Sequence, residues 1–300
     1  MSRKIYGAIE AGGTKFVCVL ARSIDDVVAE TRIPTTTPET TLAAVIEFFD
    51  SSQRILGKID AFGIGAFGPV DLRNDSPTWG CILDTPKQGW SGADLVRPLV
   101  ARFACPVAID TDVNAAALAE VRYGAGRDCK SLTYVTVGTG IGGGVVVDGR
   151  SLQGMLHPEM GHIRVRRDSR DREFAGVCPF HGDCLEGLAS GPAIQARWGA
   201  ALDQLAEDHV AYQIIGNYLG QLAANIALML SSERIVFGGG VMSNGRLLRH
   251  IRRTTHDLLN AYLPHARNAG WLDQYIVPPG LGDRSGCCGA IELATKATPR

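Results

Sequence analysis

Short runs of apolar and β-branched residues, each closed by glycine or a polar turn, recur along the chain, and stretches of helical character separate them. Ile5-Tyr6-Gly7-Ala8-Ile9-Glu10 leads through Ala11-Gly12-Gly13-Thr14-Lys15 into Phe16-Val17-Cys18-Val19-Leu20, a strand, a glycine turn and a strand. Val27 to Ile33 predicts a third strand. Pro34 to Thr41 is a Thr- and Pro-rich loop ending in a helix N-cap signal, and Leu42 to Phe49 has helical character. Ile59 to Ala66 is a strand that runs into the turn Phe67-Gly68-Pro69-Val70-Asp71. Asn74 to Gly92, dense in Pro, Gly, Asp and Trp, is a long loop of the kind often tied to function. A short helix (Leu95 to Phe103), a strand (Pro106 to Ile109) and a helix (Ala115 to Tyr123) follow.

About half the chain later the opening plan returns. Ser131 to Val137 and Val145 to Gly149 flank Gly138-Thr139-Gly140-Ile141-Gly142-Gly143-Gly144, five glycines in seven residues. A structural hairpin needs fewer, so the excess points to a turn that wraps an anion, most plausibly a phosphate. Two similar halves, each offering such a turn to one cleft, suit phosphoryl transfer; two unrelated structural hairpins are the plain alternative. The C-terminal third reads as helices over Ala193 to Ala206, Ala211 to Leu230 and Leu247 to Tyr262. The strand Arg234 to Phe237 ends in Gly238-Gly239-Gly240-Val241-Met242, and Ser285 to Thr295 is a final helix. Strands alternating with helices through both halves predict an α/β class.

Composition narrows this picture. Three hundred residues suit two domains; 45 % hydrophobic and 20 % charged residues fit a soluble globular protein. A net charge of −1 offers no footprint for nucleic acid or an anionic membrane. No apolar run is long enough for a transmembrane helix, and no signal region precedes the first strand, so a cytoplasmic location is expected. The eight cysteines show no disulfide framework, and most should be buried thiols.

Cys178 and Cys184 are different. With His181 they form Cys-x-x-His-x-x-Cys, and His162 can supply a fourth ligand. A Cys₂His₂ set completes a tetrahedron around a structural zinc; a Cys178–Cys184 disulfide or two idle thiols are the alternatives, the disulfide being out of place in the cytoplasm. Asp110-Thr111-Asp112-Val113-Asn114 sits at the carboxyl end of a strand, where ligands bind in α/β sheets. Asp112 is the candidate general base for phosphoryl transfer. It could instead cap the next helix, although one acceptor suffices for capping and three are present. Glu159 and Glu186, beside the zinc set, could accept hydrogen bonds from sugar hydroxyls, or could be ordinary surface charges. Gly12, Gly13 and Thr14, partnered by Thr139 and Gly140, are candidates for holding the terminal phosphates, and Gly238 to Met242 for approaching the nucleotide. The Walker A and Rossmann contexts are missing around residues 10–16.

These residues resemble the ROK family of sugar kinases and regulators, in the actin-like/hexokinase ATPase superfamily, over nearly the whole chain. Glu10-Ala11-Gly12-Gly13-Thr14-Lys15 is similar to the family's first phosphate motif, with glutamate in place of its aspartate. Asp110-Thr111-Asp112-Val113-Asn114 resembles its Glu-Asn-Asp-x-Asn segment, which makes Asp112 the base and puts Thr111 where a sugar-binding asparagine is usual. Gly138 to Gly144 is similar to the second phosphate motif and Gly238-Gly239-Gly240 to the adenosine motif. Glu159-Met160-Gly161-His162 matches Glu-x-Gly-His, in which the glutamate and histidine contact sugar and the histidine also binds zinc. The Cys-x-x-His-x-x-Cys variant, with Thr85-Pro86-Lys87-x-Gly89-Trp90, resembles the bacterial fructokinase branch.

The resemblance implies duplicated ribonuclease H-like domains, two lobes around a central cleft. A small domain would take residues 1–110 and 285–300, a larger one 111–284 would carry the zinc loop, and hinges would lie near 110 and 284. It implies Asp112 as catalytic residue and Thr111, Glu159, His162, Glu186 and Gly68 as sugar contacts. The ATP contacts would be Gly12, Gly13, Thr14, Lys15, Thr139, Gly140, Pro192, Gly238, Gly239, Gly240, Val241 and Met242. His162, Cys178, His181 and Cys184 would bind Zn²⁺, Mg²⁺ would accompany ATP, and the molecule would be a homodimer. The implied activity is ATP-dependent phosphorylation of D-fructose at the 6-hydroxyl. The alternatives are a glucokinase or mannokinase, or a sugar-responsive regulator without turnover, whose expected mark, a missing base or a damaged turn, is absent. Family repressors carry an N-terminal helix-turn-helix domain, and a strand beginning at residue 5 leaves no room for one.

Overall fold

The computed structural model describes residues 4–298; residues 1–3 and 299–300, counted in the smaller domain above, lie outside the described residues. Two compact units divide the chain. The first runs to Ala119 and adds Gln153–His157 and the chain from Arg284 onward; the second is Glu120–Leu152 with Pro158–Asp283.

In the first unit β1 (Tyr6–Ala11), β2 (Lys15–Ser23) and β3 (Asp26–Pro34) form an antiparallel meander. Helix α1 (Pro38–Leu56) starts at the cap Thr37, whose side chain accepts from Thr40 N–H, with Pro38 in its first turn. Strands β4 (Ala61–Ala66) and β5 (Val107–Thr111) add in parallel on the far side of β1, with α2 (Arg97–Phe103) between them in the chain. The sheet order is β3-β2-β1-β4-β5. Strands β1 and β4 are buried along nearly their whole length, whereas edge strand β3 alternates and carries the paired charges Glu30 and Arg32. One face packs Phe49 edge-on to Phe62 (4.9 Å between centroids) and Phe62 tilted against Phe103 (5.0 Å). The loop expected over 74–92 is tethered at both ends. The buried carboxylate of Asp71 accepts from Arg73, Ser76 and Thr78, and the fully buried Trp90 donates its indole N–H to Thr36 O (2.8 Å).

Helix α3 (Asp112–Tyr123) begins three residues earlier than the sequence predicts, directly from β5, so Asp112 is its first residue. The division between units falls inside this helix, after Ala119, where the sequence analysis placed it at 110. Ala115 packs against Gly65 of β4 and Gly289 near the C-terminus, while Glu120, fully buried, accepts from the N–H groups of Ala125, Gly280 and Leu281.

The second unit repeats the plan. Strands β6 (Ser131–Val137) and β7 (Ile141–Val147) form the hairpin, and β8 (Arg150–Ser151) extends it. Short helices α4 (Leu185–Ala189) and α5 (Gly191–Trp198) precede α6 (Val210–Met229). Next come β9 (Arg234–Gly238), α7 (Arg246–Leu259), α8 (Leu272–Tyr275) and β10 (Ile276–Val277). Both β9 and β10 add in parallel, giving β10-β9-β6-β7-β8, the order of the first sheet read from the other edge. The helix expected over 193–206 is split: Gly199, in the left-handed region at φ 71°, ends α5, and only one short turn (Leu202–Gln204) follows. The last helix, α9 (Ser285–Ala297), packs on β1, β4 and β5 in the first unit, where its Ala290 carbonyl leaves Gly63 no room for a side chain. Two mixed sheets of the same order make this an actin-like α/β fold. Among the described residues no helix is long and apolar enough to cross a membrane.

Candidate active site

In the first unit the strand end Asp110–Asn114 is locked from within. Asp110, buried, accepts from Thr111 N–H (2.8 Å) and from the Asn114 amide (2.7 Å). Thr111, also buried, caps α3 by accepting from Asn114 N–H (3.1 Å). Asp112 is half-buried, and its carboxylate accepts the N–H of Val113 (2.8 Å) at the positive end of the helix. The cap is therefore Thr111, and the acid sits beside it at the start of the helix.

The turn between β1 and β2 is open. Gly12 N–H closes it on Lys15 O (3.0 Å), and Thr35 holds Gly12 O from outside (2.8 Å). Gly13, Thr14 and Lys15 are exposed, and a Cβ added at Gly13 would meet nothing within 4 Å. Glu10, on the strand leading in, places its carboxylate against the first turn of α9, where it accepts from the Cys287 thiol (3.1 Å) and fills the space beside Gly286. Burial and the Glu10 charge push that thiol far above the ordinary cysteine range. Gly68 lies in the turn after β4, whose register pairs Ala66 with Thr111, one residue before Asp112.

The hairpin turn of the second unit is crowded instead. Gly142, Gly143 and Gly144, expected to wrap an anion, lie in strand β7. A side chain at Gly143 would collide with Met160, and one at Gly161 with the Ile141 carbonyl, so these glycines let Glu159-Met160-Gly161-His162 pack directly on the strand. Only Gly138, Thr139 and Gly140 form the turn. Glu186, at the start of α4, accepts from Ile141 N–H (2.9 Å), and a Cβ on Gly140 would lie 2.6 Å from its carboxylate. Gly191 N–H donates to Gly138 O (2.7 Å), which brings the start of α5 and Pro192 to this turn. Gly191 also lies close to Val241, and Gly138 close to Gly240 N. Gly239, at φ 91°, turns the chain out of β9 with no space for a side chain; Gly240 is open, and Met242 is buried behind it. Thr139, Gly140, Pro192 and Gly238–Met242 thus come together with Gly191, which the sequence analysis did not single out. Its signal was a glycine opening a helix behind the cap Ser190.

His162, Cys178, His181 and Cys184 bring one ligand atom each to within 4.8 Å of one another, a group that could hold a metal ion. Cys178 Sγ lies 3.8 Å from His162 Nδ1 and 3.7 Å from His181 Nδ1, and Cys184 Sγ lies 3.5 Å from His162 Nδ1. The loop is a tight hairpin: Cys178 and Gly182 exchange backbone hydrogen bonds, which turns His181 back toward Cys178. Beside it, Asp183 pairs with Arg164 and Arg167. Asp171, buried, pairs with Arg197 (3.1 Å) and accepts from Tyr218 (2.7 Å), so the segment that returns to the loop is braced from both sides.

Glu159 directly precedes the short turn Met160–His162. Much of its surface is open to solvent, yet protein surrounds its carboxyl on most sides; desolvation, then the Glu186 charge, push its pKa up to about 7.

A family model for the ROK family matches residues 6–297. The chain is 48 % identical to a fructokinase of Zymomonas mobilis over 98 % of both chains, and 42 % identical to a putative fructokinase of Bacillus subtilis over 98 % of this chain and 96 % of that one. The crystal structure of a ROK hexokinase from Thermus thermophilus superposes with a TM-score of 0.73 at 27 % identity, covering 97 % of this chain and 98 % of that one. The duplicated sheet order, the acid at the start of α3 and the Cys₂His₂ loop are thus found in a chain that belongs to the ROK family.

Proposed function

We propose that the protein transfers the γ-phosphoryl group of ATP to the 6-hydroxyl of D-fructose. The observation that carries the reading is Asp112, a half-buried carboxylate at the first residue of α3, in the same unit as the open Gly12–Lys15 turn. The helix terminus favours its ionised form, and that form accepts the proton of the attacking hydroxyl. ATP enters as its Mg²⁺ complex. Gly13 and Thr14 present exposed backbone for the terminal phosphates, and Lys15 adds a positive charge. In the second unit, Thr139, Gly140, Pro192 and Gly238–Met242 hold the nucleotide. The sugar contacts are Gly68 and Thr111 from the first unit and Glu159, His162 and Glu186 from the second. The relatives named fructokinase support the choice of hexose.

His162, Cys178, His181 and Cys184 suit zinc by donor type and spacing. Tetrahedral zinc with bonds of about 2.3 Å to sulfur and about 2.05 Å to nitrogen keeps those ligands about 3.6 Å apart, against 3.5–3.8 Å here. When bound, it ties the loop to the Glu159–His162 segment and so fixes the sugar contacts.

A coupled assay of ADP release over fructose, glucose and mannose tests the reading. Fructose should give the highest kcat/KM. Preference for another hexose would move the assignment within the family, and ATP consumption indifferent to sugar would reject it.

A further inference from the structure

His157 lies outside every motif above, yet it reaches the turn that borders Asp112. Its Nε2 accepts the N–H of Val70 at 3.2 Å, in a buried bond between positions 87 residues apart in the chain. A backbone N–H can only donate, so Nε2 carries no proton. Both ends are buried, His157 at 7 % exposure and Val70 at 0 %, so loss of the ring would leave the N–H without its acceptor in the interior.

Backbone bonds hold the turn as well, among them Asp71 N–H to Cys81 O (2.9 Å). Phe67 N–H donates to Ala11 O (2.7 Å), on the strand that enters the open glycine turn, and Leu83 N–H donates to Pro69 O (2.8 Å). His157 adds a side-chain pin, and it comes from the segment Gln153–His157, which packs with the first unit although its neighbours in sequence belong to the second. The chain then passes through Pro158 directly to Glu159. Proline restricts the residue before it to extended backbone, which narrows the conformations open to His157 itself.

We propose that His157 is a positioning residue for the acceptor sugar. It holds the Gly68 turn, which follows the strand paired with the Asp112 strand end in the same unit, without touching the reacting atoms. This rests on the sugar-kinase reading, and it places the effect on the sugar side alone.

The test is steady-state kinetics of wild type, His157→Leu and His157→Gln, varying fructose and ATP separately, with melting temperatures recorded. His157→Leu should raise KM for fructose about tenfold, the equivalent of about 1.4 kcal/mol, with KM for ATP unchanged and kcat moved far less. His157→Gln, whose amide oxygen can accept the same N–H, should recover most of the loss. An unchanged KM for fructose in His157→Leu overturns the proposal. So does an equal rise for both substrates, or a failure of glutamine to rescue. Should the leucine variant not fold, exchange of the Val70 amide in wild type replaces it: saturating fructose should slow it and ATP alone should not, and no difference rejects the role. A wild type that ignores fructose refutes the proposed function instead, and the hexose it does phosphorylate then takes fructose's place in the same comparison.

Discussion

The two hairpins that open the two sheets share a topology and differ in what their glycines do. At Gly13 the space a side chain would occupy is empty, while at Gly140 and Gly143 it is filled by Glu186 and Met160. One turn is bare backbone held from behind by Thr35; the other is backbone whose N–H at Ile141 is already taken by a glutamate. Duplication therefore preserved the strand order and divided the labour. The backbone at Gly13 in the first turn is left open, while the strand after the second turn makes room for the Glu-Met-Gly-His segment that supplies His162. Substitutions at Gly13 should change ATP binding with little effect on stability, whereas those at Gly143 should change stability first.

The largest effect belongs to the first unit. Asp112→Asn keeps shape and the hydrogen bond from Val113 N–H but removes the proton acceptor, so kcat should fall about 10²–10⁴-fold with the melting temperature nearly unchanged. Turnover within a few-fold of wild type would remove Asp112 from the chemistry. Next comes the metal loop. The purified protein should contain one zinc per chain, and Cys184→Ser should lose it, lowering kcat/KM for fructose by about 10- to 100-fold while KM for ATP holds. A metal-free protein with normal fructose kinetics would separate the loop from the sugar site.

Much of this was legible because it is local. Strand–glycine–strand runs fixed both hairpins, and Cys-x-x-His-x-x-Cys needs only one tight turn, the Cys178–Gly182 exchange, to converge. What was not legible depends on partners far along the chain. Gly143 reads as part of an anion turn because its reason, Met160, comes from a later segment that packs on β7. The helix from Asp112 to Tyr123 shows no break in sequence, so the division at Ala119 follows only from what Ala115 and Glu120 each meet. His157 gave no signal beyond standing before a proline.

The comparison of glycines can be tested directly. Gly143→Ala forces a Cβ into Met160 near its own backbone, and should cost about 1–3 kcal/mol of stability, read from denaturant or thermal unfolding. Gly13→Ala meets no protein atom, so its stability should stay within about 0.5 kcal/mol. Its KM for ATP should rise on the order of fivefold, the loss of roughly one backbone contact of about 1 kcal/mol. If Gly13→Ala melted early and bound ATP normally, the first turn would be a packing device like the second, and the contrast would fail.

The smallest effect is confined to the second unit, at Glu159, whose carboxyl feels the Glu186 charge. Glu159 holds its proton up to about pH 7 because burial and the Glu186 charge disfavour the ionised form. The folded protein thus binds this proton more tightly than the unfolded chain does, and its stability should fall slightly as pH rises from about 4.5 toward 7; solvent access to the side chain keeps that term small. With Glu159 as the proposed acceptor of sugar hydroxyls, its ionisation around neutral pH should strengthen binding, so KM for fructose should fall several-fold, about tenfold at most, as pH rises from about 6 to about 8. Glu159→Gln should flatten both profiles. A fructose KM with the same pH dependence in wild type and Glu159→Gln would assign the titration to another group and leave Glu159 a spectator beside the metal loop.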